Sequence, residues 1–142
     1  MWSDTILTAE RQHFVRLCTW GVASLLIGAG ILLSVARRPA RVPLLATFAR
    51  GMAILGGLEV LAAAAGRIRL QPPSLETAVQ LERWLWFAAG CEFGVAAVAA
   101  AIVIWALVTG RRLGTAGAAL AICLHGLTVA TLGLPLIAIV SR

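Results

Sequence analysis

Glu59 and Glu92 each interrupt a long apolar stretch of the chain. An ionisable side chain in such a setting is costly enough to demand a role. Glu59 shares its helical face with Gly56, Ala62 and Ala63, and Glu92 shares its own with Ala88, Ala89 and Ala96. Small neighbours leave room for a second helix, so both carboxyls are expected to face other helices and not lipid. At about 1.5 Å per residue Glu59 lies roughly 10–12 Å from the C-terminal end of its stretch and Glu92 as far from the N-terminal end of its own, which helices of alternating direction bring to the same end of a bundle. Arg16 falls about one helical turn nearer that end, within reach of either carboxylate. Two carboxylates and a guanidinium can bind a cation or pass protons. The competing account is a structural ion pair that fixes the register of the helices.

His125 is the other titratable group deep in an apolar stretch, with Thr128 one turn on. An intramembrane histidine can relay protons or ligate a cofactor; its more ordinary use is a hydrogen bond to a neighbouring helix. The second histidine, His13, lies at the edge of its stretch, which argues against a bis-histidine haem, and no cofactor is specified. Arg50 is close enough to its helix end to extend its head group to the interface. Cys18, Cys91 and Cys123 form no CxxC pair, so they read as small apolar residues and no metal site is expected. The sequence has no GxSxG, HExxH, phosphate-binding loop or dinucleotide fingerprint, and on that ground it is not read as an enzyme.

The elements that must hold these residues are plain in the composition. Of 142 residues, 61% are hydrophobic and 13% charged, and the mean hydropathy is +0.94. A soluble domain is about half apolar and about a quarter charged. Four stretches, at 14–35, 44–65, 84–108 and 116–140, have almost no charge. Each is long enough for a helix to cross a hydrocarbon core of about 30 Å. None alternates with the period of two that a barrel strand requires. The expected fold is therefore all-α, a polytopic membrane protein built as a single four-transmembrane-helix bundle. Pro72-Pro73 is expected to stop the helix of span 2, and Ser74 to cap a helix running into span 3. Trp84, Trp86 and Trp105 suit the two interfaces of that span.

An internal repeat runs through these spans. Arg37-Arg38 and Arg111-Arg112 close the odd spans at an offset of 74. Cys18–Ala23 (CTWGVA) matches Cys91–Ala96 (CEFGVA), Glu10-Arg11 matches Glu82-Arg83, and Arg50-Gly51 matches His125-Gly126. These matches predict a 2+2 duplication, 8–69 and 79–140, with the two hairpins inserted in the same direction. Small residues at helical spacing, namely Gly21, Ser24 and Gly28 in span 1 and Gly90, Gly94, Ala97 and Ala101 in span 3, predict close helix contacts.

All twelve basic residues are arginines, giving a net charge of +6. They flank spans instead of lining one soluble face, which excludes nucleic acid as the partner. The dense cluster Arg37, Arg38, Arg41, Arg111 and Arg112 places its links in the cytoplasm of a bacterial inner membrane, with both termini outside. The segment before span 1 carries Asp4 and Glu10 against one arginine, so it does not read as a cleavable leader. Small size and short links predict an accessory or assembly subunit of a membrane complex, partnered by lipid and by other subunits or itself. The alternative is a small transporter or ion/proton pathway built on Glu59 and Glu92.

Overall fold

The computed structural model describes residues 2–36, 42–70, 74–110 and 112–141. They form four α-helices: α1 (Trp2–Val35), α2 (Pro43–Ile68), α3 (Leu75–Thr109) and α4 (Leu113–Val140). Each is long and apolar enough to cross a membrane. α1 starts twelve residues ahead of the apolar stretch that announced it, because no proline or glycine precedes Gly21 to break the helix. Ser74 caps α3 as expected, its Oγ accepting from Thr77 N at 3.3 Å, with Glu76 in the first turn facing the positive end of the helix dipole. Gly110 ends α3 at φ +66°, a conformation that favours glycine. Pro43 opens α2 at a position where its missing N–H costs nothing. The Pro72-Pro73 pair, together with Arg37, Arg38, Arg41, Arg111 and Arg142, lies outside the described residues.

α1 packs along α2, α3 along α4, and α4 also packs along α2 and touches α1. The seam between α1 and α2 is made of backbone. A Cβ built on Gly56 would sit 2.5 Å from Gly21 O and 2.7 Å from Leu25 N, and one on Gly28 would sit 2.6 Å from Ala49 O. Gly21, Ser24 and Gly28 all lie on this seam, as their spacing predicted. Between α2 and α4, Gly117 lies against Leu44 and Thr47, and the Thr47 hydroxyl donates to Gly114 O at 2.6 Å. His13 Nδ1–H donates to Leu132 O at 3.2 Å, tying α1 to α4 beside Pro135.

The small face predicted on α3 is a correction. Gly90, Gly94, Ala97 and Ala101 are exposed, and nothing lies within 4 Å of a Cβ on either glycine. α3 meets α4 through Ala89, Ala96, Ala99 and Ala106 instead. Each residue along a helix turns by about 100°, so the glycine stripe lies well off that contact stripe. Gly21 and Gly94, equivalent in the sequence repeat, thus have different surroundings, and the architecture does not show the duplication. The outer surface is apolar at mid-helix: Leu26, Ile54, Leu61, Val98 and Ile104 are each 62–68% exposed.

Candidate functional site

α4 stands at the centre of the bundle and carries a buried histidine halfway along its length. His125 is 6% exposed, and its Nε2 lies 2.9 Å from Glu59 Oε2 on α2. The two side chains are 8% and 13% exposed, so the pair is largely removed from its surroundings. Nε2–H donates to the carboxylate; if the carboxyl is protonated, the roles reverse. α2 can bring Glu59 this close because the faces that α2 and α4 share are built of small residues, with Gly51 against Ala121 and Gly117 against Leu44.

Glu92 enters from the third side. It sits on the α3 contact stripe between Ala89 and Ala96 and lies over Gly126, the residue after His125. A Cβ at Gly126 would come within 3.1 Å of Glu92 O and 3.3 Å of Glu92 Oε2, so the missing side chain is what admits the carboxyl. Glu59, Glu92 and His125 line one cavity of about 240 Å³, walled by Leu55, Leu58, Val95 and Ile122. Three helices therefore supply three titratable groups to one aliphatic pocket. Drug-sized ligands occupy about 300–1,000 Å³, so this volume suits several waters or a small cation.

The structure does not bring Arg16 to either glutamate. Arg16 is exposed and lines the groove between α1 and α4 with Thr19, Trp20 and Thr128. Its helix packs on α2 and α4, whereas Glu59 is paired with His125 and lines the cavity with Glu92. The counter-group that sequence reasoning sought in Arg16 is His125. Arg50 is also exposed on α2 and stands apart from the cavity. The three cysteines are free thiols, and no group of three or more metal-ligating side chains forms among the described residues.

The sequence reading missed the Glu59–His125 pair because the repeat set His125 against Arg50. No signal in the sequence pairs them: Glu59 lies nearer the Ile68 end of α2 and His125 halfway along α4, and their contact depends on which faces the two helices turn to each other. It also missed the far face of the imidazole. The Trp20 ring of α1 lies 6.0 Å from that of His125, centroid to centroid, tilted by 39°. Trp20 Nε1, Ser24 Oγ and His125 Nδ1 are buried without a hydrogen-bond partner. No family model matches the chain, and no curated protein or solved structure is significantly similar to it.

Proposed function

We propose that this chain is a multi-pass integral membrane protein in which Glu59, His125 and Glu92 form a site that takes up and releases protons. One observation carries the reading: two carboxyls and an imidazole from three different helices converge on one small aliphatic cavity. Full ionisation would place two negative charges and at most one positive charge in a low-dielectric pocket. Binding a proton or a small monovalent cation offsets that excess. A purely structural pair needs only Glu59 and His125, and Glu92 has no part in it. The accessory-subunit reading keeps one observation in its favour, the uncovered Gly90 and Gly94 face of α3, where a partner helix could approach closely.

The test is proton flux in vesicles reconstituted with the purified protein and a lumenal pH dye. Wild-type vesicles should dissipate an imposed pH gradient faster than empty ones. Glu59→Gln and Glu92→Gln should each slow that flux on the order of a hundred-fold, the scale on which positioned acid–base groups act, while the helical content is retained. Wild-type flux equal to that of empty vesicles, or flux unchanged in both variants, would remove the proposal and leave the accessory reading.

A further inference from the structure

The imidazole of His125 has two nitrogens, and the cavity uses one. Its Nδ1 is buried without a partner, in a ring that lies beside Trp20 in the wedge between α1 and α4. Ser24, one turn after Trp20 on α1, is 0% exposed on the α1–α2 seam, with its Cβ 2.9 Å from where a Gly56 Cβ would be. Its hydroxyl has no partner, and neither has the indole N–H of Trp20 one turn earlier on the same face. Buried polar groups in folded proteins are nearly always hydrogen-bonded, to protein or to an ordered water. These three have complementary roles. With Nε2–H donating to Glu59, Nδ1 is an acceptor; the indole is a donor only; the hydroxyl does both. Trp20 and His125 do not bond to each other, although their ring centroids lie 6.0 Å apart; a water that accepted from the indole, donated to Nδ1 and exchanged a bond with Ser24 would satisfy all three.

We propose that a water molecule is held in this wedge by Trp20 Nε1, Ser24 Oγ and His125 Nδ1, and that it makes His125 a two-sided proton relay. The water site stands on the three orphaned groups alone; the relay rests on the proton-site reading given above. In the relay step the water, carrying an excess proton, passes that proton to Nδ1 and is left neutral. The doubly protonated ring then releases its Nε2 proton to the Glu59 carboxylate. One proton crosses the ring, no covalent bond other than N–H and O–H changes, and the step runs equally in reverse. Glu92, sharing the cavity, is the next acceptor.

The chain has two histidines, His13 and His125, so ¹⁵N-histidine labelling gives a spectrum that a His125→Gln variant assigns. Solid-state NMR of the full chain in phosphatidylcholine–phosphatidylglycerol bilayers reads water-to-nitrogen transfer at each ring position. The expected result is strong transfer from water to His125 Nδ1. It should fall about five-fold in Ser24→Ala, the population change that one lost hydrogen bond brings. Ser24→Ala keeps the Cβ that packs on Gly56, and Trp20→Phe, which keeps a ring and removes the N–H, should act alike. Absence of water transfer at Nδ1 in the wild type, or transfer unchanged in both variants, overturns the site. Flux then tests the relay: Ser24→Ala should slow it with Glu59 and Glu92 intact, and flux at the wild-type rate overturns the relay. A protein with the water signal but no wild-type flux would mean that the proton-site reading had failed and the water site had not.

Discussion

At the scale of single residues, the Glu59–His125 contact separates what a polar group costs from what a polar pair costs. Removing one partner leaves the other buried and unsatisfied, whereas removing both leaves only apolar surface to repack. His125→Leu should therefore destabilise the protein by about 1–3 kcal/mol, because the Glu59 carboxyl loses its partner in a site where its side chain is only 13% exposed. Adding Glu59→Met should recover most of that loss while leaving Glu92 as the one titratable group of the cavity. Thermal unfolding in a mild detergent reads both steps. A double variant as unstable as the sum of the two single changes would show no coupling between Glu59 and His125, and would count against the pair. The residue types at this site were legible in the sequence: Glu59, Glu92 and His125 stand out as ionisable groups in apolar stretches. Their grouping was not. A contact between α2 and α4 depends on which faces those helices turn to each other, whereas depth points to Arg16 and the repeat sets His125 against Arg50.

Helices in lipid lack a strong hydrophobic drive toward each other, so close backbone approach carries the association. The same residue type has opposite consequences on α2 and α3. Gly56→Ala would put a Cβ 2.5 Å from Gly21 O and 2.7 Å from Leu25 N. Both are backbone atoms, so no side chain can swing aside and the two helices must separate. The expected cost is about 1–3 kcal/mol, in the range of an overpacked core, and Ser24 would shift with the seam. Gly94→Ala meets nothing within 4 Å and should stay within about 0.5 kcal/mol of wild type. Detergent unfolding of the two variants side by side checks the contrast. Equal destabilisation would mean that the α3 face is covered after all. Spacing alone marked both stripes as contact faces. It could not tell them apart because in this composition glycine and alanine occur on every side of α3, and only the position of Glu92 and of the alanine stripe from Ala89 to Ala106 shows which side turns inward.

For the whole molecule, the helices themselves were the most legible feature, since length and composition alone define four apolar stretches that the structure forms as α1 to α4. Which end faces the cytoplasm depends on charges at the links. Arg112 stays at the start of α4 with its guanidinium 5.5 Å from the centre of the Trp105 ring, holding one basic group beside the end of α3 where an interface would place both. The positive-inside rule weighs arginines close to helix ends in short links. Arg37, Arg38, Arg41, Arg111 and Arg112 fall in two such links with no acid between them. The arginines at the opposite end are spread over longer segments, and that end also carries both termini. Both termini are therefore expected outside the cytoplasm. An alkaline phosphatase fused after Arg142 should be active, and the same enzyme inserted after Arg38 should be inactive, because it folds only where disulfides form. The outcome bears on the site as well. Glu59 lies nearer the Ile68 end of α2 than the Pro43 end, so in this orientation the cavity is closer to the outside, and under the proposed function protons would meet Glu59 before the wedge behind His125. The reverse pattern of phosphatase activity would invert the protein and make the cytoplasm the nearer source.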